Sequence, residues 1–325
     1  MTTDFPLLFA LNGTEDYATR VAQRLGCQLA AHEERNFEDG EHKIRALDDV
    51  DGRRVVVFHS LYGDRQQSVN DKLCRLLFFC GALKDAGASH LQVVTPYLCY
   101  ARKERRTAHQ DPISSRYVAT LFEACGVDRL VALEVHNLAA FDNAFRIPTQ
   151  HLPGAGLLAA HFAPLVGDAE VLAVSPDSGG AKRVELFRRD LEQRIGRPVG
   201  SAFMEKYRRN DQVTGALLVG DAQGKLAIVV DDLISTGGTL LRAAQACQNA
   251  GAERIFAAAV HGLFTGGSAL LDSPLLDAIV ICDSVPPFRL EPELVARRLQ
   301  IIDSSTAVAS ILARQYGLDC KAPTR

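Results

Sequence analysis

The chain has no CxxC pair and no cysteine–histidine spacing of the finger type, although eight of its 325 residues are cysteine. A structural zinc fold is therefore excluded. Most of the eight sit in apolar runs and read as buried free thiols. A basic surplus is also missing: 36 Lys and Arg face 39 Asp and Glu, a formal net charge of −3. That balance speaks against a nucleic-acid partner. No cationic stretch precedes the first apolar run, PLLFAL, and this run is too short for a signal-peptide core or a membrane span. The expectation is a cytoplasmic protein with no membrane partner. Low-complexity tracts are absent, as is any repeat with a period of roughly 20 to 50 residues. Asn12-Gly13-Thr14 has the form of a glycosylation sequon, but without secretion it reads as a strand-to-helix turn with Thr14 as N-cap.

What is present is an ordinary globular composition, 47% hydrophobic and 23% charged, in a chain long enough for two domains of roughly 150 residues each. Short runs rich in Val, Ile and Leu alternate with longer helical patterns, the signature of βαβ units and parallel sheets. Strands are expected at 7–11, 54–59, 91–95 and 130–135, then at 171–175, 226–230, 254–260 and 278–282. Helices are expected at 15–25, 69–86, 114–124, 181–194 and 239–250. Pro148 and Pro153 interrupt the rhythm after the first set of strands, so the seam is placed at 147–154. A last amphipathic segment, 305–316, presents Val308, Ile311 and Leu312 on one face.

The most specific signal is the stretch 229–239, VVDDLISTGGT. Residues 225–230 read as an apolar strand buried on both faces of a parallel sheet and ending at Asp231 and Asp232, and ligands of open α/β sheets bind at such carboxyl ends. Gly237 and Gly238 let the backbone curl so that several N–H groups face one point. The following helix start adds positive dipole, and Ser235, Thr236 and Thr239 add hydroxyls. Two carboxylates beside a phosphate would repel it unless something lies in between. A ribose does so, because its 2- and 3-hydroxyls can donate to Asp231 and Asp232 while its 5-phosphate reaches the turn.

These residues resemble the phosphoribosyl pyrophosphate loop of type I phosphoribosyltransferases and, more closely, that of the ribose-phosphate pyrophosphokinases. The likeness runs through the chain: FEDGE at 37–41, VNDKL at 69–73, PYLCYAR at 96–102, Pro112-Ile113 and SPDSGGAKR at 175–183. It implies two tandem α/β phosphoribosyltransferase-like domains, each a mainly parallel sheet flanked by helices. Residues 1–148 would form the ATP-side domain with the C-terminal helix of 303–325 packed on it, and residues 149–302 the domain carrying the ribose 5-phosphate loop. It also implies transfer of the pyrophosphoryl group of ATP to the 1-hydroxyl of ribose 5-phosphate, with AMP leaving. Such a transfer asks mainly for alignment and neutralisation of charge, hence cations and Mg2+.

Carried over by the resemblance, Phe37, Asp39 and Glu41 receive the adenine end of ATP from a neighbouring subunit. Arg102, Lys103, Arg105 and His136 complete the ATP side, and Lys206 and Arg208 fall on the catalytic cations. His136 and Asp177 lie near magnesium. Asp177, Asp231, Asp232, Ser235, Thr236, Gly237, Gly238 and Thr239 take ribose 5-phosphate. Glu134 and His136, two apart at a strand end, are expected to share one face. Self-association to a dimer or a larger ring such as a hexamer is implied.

The match has departures. Glu134-Val135-His136 replaces the family's Asp-Leu-His, Arg106 to Asp111 replaces a loop containing Arg-Ser-Arg, and Ser235 stands where many members carry Asp. A transferase that consumes the activated sugar is the competing enzyme reading, and a catalytically silent regulatory subunit is the competing non-enzyme reading. Two near-motifs carry less. Gly220 to Lys225 falls one residue short of a P-loop, and the GxGxxA at 154–159 lacks a preceding strand.

Overall fold

The computed structural model describes residues 5–209 and 212–321, and leaves the side chains of 206–216 outside that description. The chain divides into two units, 1–152 with 304–325, and 153–303.

The first unit runs β1 (Leu7–Ala10), α1 (Glu15–Leu25), β2 (His32–Asn36), β3 (His42–Ala46), β4 (Arg54–Phe58), α2 (Val69–Asp85), β5 (His90–Thr95), α3 (Ser114–Ala124), β6 (Arg129–Leu133), α4 (Leu138–Ala144) and β7 (Thr149–Leu152). Its main sheet has the order β1-β4-β5-β6-β7 with every pair parallel. Strands β2 and β3 form a separate antiparallel hairpin. The apolar runs of β4, β5 and β6 are buried on both faces, as central parallel strands must be. Pairing of β7 with β6 through Leu133↔Leu152 carries this unit to Leu152, within the 147–154 seam. A short four-residue strand leaves too little alternation to be read in sequence.

The second unit contains α5 (Ala155–Phe162), β8 (Val171–Ser175), a 3₁₀ turn (Ser178–Gly180), α6 (Ala181–Ile195), β9 (Gly200–Arg209), β10 (Gln212–Val219), β11 (Leu226–Ile234), α7 (Gly238–Asn249), β12 (Arg254–Gly262), β13 (Ala278–Cys282), α8 (Pro292–Arg298) and β14 (Leu299–Ile302). Its sheet order is β10-β9-β8-β11-β12-β13-β14, parallel except for the β9–β10 hairpin. Omitting the hairpins, β8-β11-β12-β13-β14 repeats the strand permutation of the first unit, so the similar rhythm of the two halves reflects one topology used twice.

The last helix, α9 (Ser305–Tyr316), belongs to the first unit and lies on α1. Tyr17 meets Ser304 across 3.1 Å, Arg24 Nε donates to Ser305 Oγ at 3.3 Å, and Tyr316 donates to Gln92 Oε1 at 3.1 Å. Burial raises the Tyr316 phenol to about 12, so it stays a neutral donor. Both α1 and α9 stop at a left-handed glycine, Gly26 and Gly317. Thr14 occupies the N-cap position of α1, yet its hydroxyl makes no cap bond. It instead accepts from the Ser60 amide at 3.0 Å and lies 3.3 Å from His59 Nδ1. His59 is fully buried and its ring is pushed down to about 3 by that burial and by Lys72, so it is neutral. Among the described residues no helix is long and apolar enough to cross a membrane.

Candidate active site

In the second unit the chain leaves β8 in one direction, through α6 to β9, and leaves β11 in the other, through α7 to β12. The carboxyl ends of β8 and β11 therefore flank a topological switch point, where helices depart to opposite sides and a crevice opens. The ladder confirms where this happens. Pairing of β11 with β8 stops at Val229↔Val174, while pairing with β12 continues to Ile234↔Gly262.

Asp231 and Asp232 thus lie within β11, not beyond its end as the sequence pattern had indicated. They occupy an extension held from one side only, where β8 has already turned away. Asp232 is buried and Asp231 partly so. Asp231 Oδ1 accepts from the Asp232 amide at 2.8 Å. Burial pushes the Asp231 carboxyl up to about 7, with the adjacent Asp232 adding to the effect. Arg183, from the first turn of α6, opposes that rise: its Nη1 lies 3.7 Å from Asp231 Oδ1 and 3.5 Å from Asp232 Oδ1.

The glycine turn follows. Gly237 is left-handed at φ 81°, and a Cβ there would meet Leu270 Cβ at 2.8 Å, so both backbone and space demand glycine. Helix α7 has no side-chain cap, and the first amides of a helix have no partner within it. Ser235 Oγ lies 2.9 Å from Thr265 Oγ1, and Gly266 packs so closely on Thr236 that a Cβ would fall 2.9 Å from its Cα. The turn is braced from behind by 264–267, a segment with no signal of its own in the sequence.

Asp177 caps the 3₁₀ turn after β8, accepting from the Gly180 amide at 3.0 Å, and this turn lies against β11. The structure thus brings Asp177, Asp231, Asp232 and 235–239 to one end of one sheet. Lys206 and Arg208 stand on β9 opposite Ala216 and Val213, and their side chains lie outside the described residues.

The residues expected for ATP occupy three segments of the first unit. Phe37, Asp39 and Glu41 form the turn of the β2–β3 hairpin, closed by the Phe37 amide on Glu41 O at 2.8 Å and the Glu41 amide on Asp39 Oδ1 at 3.1 Å. Phe37 is 40% exposed with the Arg35 guanidinium 5.3 Å from its ring centroid. Arg102 and Arg105 are exposed on the loop after β5. Lys103 is tied within that loop to Asp111 at 2.8 Å. Hydrogen bonds from Lys103 and Thr107 hold the Asp111 carboxyl well below the usual range, so Lys103 holds the loop in shape. Residues 134–136 correct an expectation. Strand β6 ends at Leu133, and Glu134 takes φ 35°, which breaks the alternation that would put it on one face with His136. Glu134 is buried, 3.9 Å from His151, whereas His136 is exposed.

Two residues escaped the sequence reading, Arg183 and Arg242. Arg183 faces the acidic pair from another element, which no spacing reveals. Arg242 lies three residues after Thr239 on a helix, a spacing that does place the two on one face.

Residues 7–126 match the family described as the N-terminal domain of ribose phosphate pyrophosphokinase, and residues 206–320 the phosphoribosyl synthetase-associated domain. Ribose-phosphate pyrophosphokinase 1 of Streptococcus pyogenes is 33% identical over 313 residues, 94% of this chain and 93% of the relative. The ribose-phosphate pyrophosphokinase of Caldanaerobacter subterraneus is 36% identical over 86% of this chain and 85% of its own length. Among solved structures, the phosphoribosylpyrophosphate synthetase of Mycobacterium smegmatis superposes with a TM-score of 0.82 at 26% identity, covering 96% of this chain and 98% of the other. A transferase built on one such domain would not account for agreement over both units. From the acidic pair and glycine turn at the switch point, and from likeness along nearly its whole length, the chain belongs to the ribose-phosphate pyrophosphokinase family.

Proposed function

We propose that the chain makes 5-phosphoribosyl 1-pyrophosphate with the 231–239 segment as the seat of the acceptor sugar. The observation that carries this is the pairing of two carboxylates on the one-sided extension of β11 with an uncapped glycine turn directly after them. In the reaction the 1-hydroxyl oxygen of ribose 5-phosphate attacks the β-phosphorus of ATP and the bond from that phosphorus to the AMP oxygen breaks. The hydroxyl proton passes to solvent, and AMP leaves. Asp231 and Asp232 accept the 2- and 3-hydroxyls, and Ser235, Thr236, Gly237, Gly238 and Thr239 hold the 5-phosphate. Arg102, Arg105 and His136 meet the polyphosphate. Lys206 and Arg208 neutralise charge as it moves to the AMP oxygen.

Among the described residues no cluster of three or more Asp, Glu, His or Cys could hold a metal alone. Magnesium would be carried chiefly by phosphate oxygens and water, and the residues proposed to attend it are His136 and Asp177. The ion supplies charge neutralisation on the polyphosphate.

Phosphorus NMR of the protein with Mg2+, ATP and ribose 5-phosphate is expected to show AMP and a sugar pyrophosphate in equal amounts. ADP as product, or no turnover at saturating magnesium, would overturn the reading.

We further propose that the β2–β3 hairpin serves a second copy of the chain. It stands apart from the main sheet and carries Phe37, Asp39 and Glu41 at its tip, an aromatic face with acceptors for an exocyclic amine. Specific activity is expected to fall on dilution as the oligomer dissociates. Light scattering that finds a fully active monomer would reject this arrangement.

A further inference from the structure

We propose that Arg242 is the cation that completes the site for the 5-phosphate, recognising a sugar phosphate by its dianionic charge; this rests on reading 235–239 as the phosphate turn.

The electrostatic situation of the turn calls for such a group. The site holds two carboxylates, Asp231 and Asp232, and one guanidinium facing them, Arg183. A phosphate monoester near neutral pH adds a further charge of about −1.5 to −2. The amides and hydroxyls of the turn offer only partial positive charge. Arg183 is held at the acidic pair, so a second full cation has to come from elsewhere.

Arg242 has the required position. It follows Gly238 by four residues and Thr239 by three on α7, so all three share a helix face, and long helical side chains lean toward the N-terminus. The guanidinium does so here. Its Nη2 donates to Thr239 Oγ1 at 3.2 Å. Its Nη1 lies 3.4 Å from the point where a Cβ on Gly238 would stand, and Thr236 Oγ1 lies 3.8 Å from the same point. The guanidinium therefore rests close to Gly238 at the first turn of the helix, against the Thr239 hydroxyl. Arg242 is exposed, and among the described residues it has no carboxylate partner. A charged fork held by a hydroxyl, unopposed and placed at the rim of an anion-binding turn, can grip two phosphate oxygens at once.

Steady-state kinetics of Arg242→Gln and Arg242→Lys test the assignment. Arg242→Gln keeps a polar stem and removes the charge. It is expected to raise KM for ribose 5-phosphate by roughly ten- to a hundredfold, the range of a charge-assisted hydrogen bond, with kcat within about twofold and KM for ATP unchanged. Arg242→Lys restores the point charge without the fork and is expected to recover part of the loss. A role limited to the helix would move neither KM nor the order of the two variants. An unchanged KM for ribose 5-phosphate in Arg242→Gln, or equal KM values for the Gln and Lys variants, overturns the proposal.

Thermal protection separates this failure from failure of the underlying reading. If ribose 5-phosphate protects the parent protein and Arg242→Gln, but not Thr239→Val, the turn holds the phosphate and Arg242 does not. If ribose 5-phosphate fails to protect the parent, the turn itself has been misread and the proposal falls with it.

Discussion

Asp231→Asn is expected to yield a protein more stable than its parent at pH 8 and less protected by a given concentration of ribose 5-phosphate. The two effects have one cause. Burial first, and then the neighbouring Asp232, raise the Asp231 carboxyl to about 7, against the opposing influence of the Asp232 amide and Arg183. An ordinary unfolded aspartate titrates near 4. Because the folded state holds its proton more tightly, stability is greatest below about pH 4 and declines as pH rises through about 7. The bound on that loss is about 4 kcal/mol, reached above both values. Asparagine cannot ionise and escapes the decline. Melting curves of the unliganded parent should fall relative to the variant between pH 5 and pH 8, with the gap widening upward.

The same substitution removes an anionic acceptor from the sugar site. A hydrogen bond to a charged group contributes roughly 1.5 to 3 kcal/mol, so KM for ribose 5-phosphate should rise at least tenfold. The parent should also bind the sugar more weakly as pH falls below about 7, since protonation of the pair converts an acceptor into a donor. Flat stability across this pH range, together with intact protection by ribose 5-phosphate, would show that the carboxylate faces no sugar. The acidic pair would then be a strained feature of the strand alone.

Lys206→Ala is expected to lower kcat by more than tenfold, and toward the hundredfold or more seen when a preorganised electrostatic group is removed. Ribose 5-phosphate should still protect the variant against thermal unfolding. Lys206 lies opposite Ala216 near the far end of the β9–β10 hairpin, on a different strand from the acidic pair and the glycine turn. A residue that meets charge only as it develops affects the transition state and leaves ground-state binding alone. Loss of protection in parallel with loss of rate would reassign Lys206 to the sugar site and leave the transferring phosphorus without its cation.

Some features were legible because their cause is local. The strand at 226–230 is a near-continuous apolar run, and such a run has few homes other than the middle of a parallel sheet. Helices α1, α3 and α9 have the bounds that their patterns predict. For α1 and α9 the stop is a glycine free to turn left-handed. The short strands β7 and β14 were missed because four residues at a sheet edge carry little period. The β2–β3 hairpin was missed for a different reason: HEERN and HKIRA are too polar to advertise a strand, and the FEDGE between them reads as a turn with or without flanking strands.

The sequence by itself determined the α/β class, the two main parallel sheets, the order of motifs and the residue types gathered at 231–239. All of these follow from neighbours along the chain, where period, glycine freedom and residue type act within a few positions. Only the tertiary structure decided that Asp231 and Asp232 sit inside β11 on a one-sided extension, because that depends on where β8 stops pairing. The same holds for Arg183 facing the pair and for the 264–267 segment bracing the turn. It holds too for Glu134, whose backbone at φ 35° separates it from His136. Charge and burial at a site are set by groups distant in sequence and adjacent in space, and a one-dimensional pattern contains their identities but not their distances.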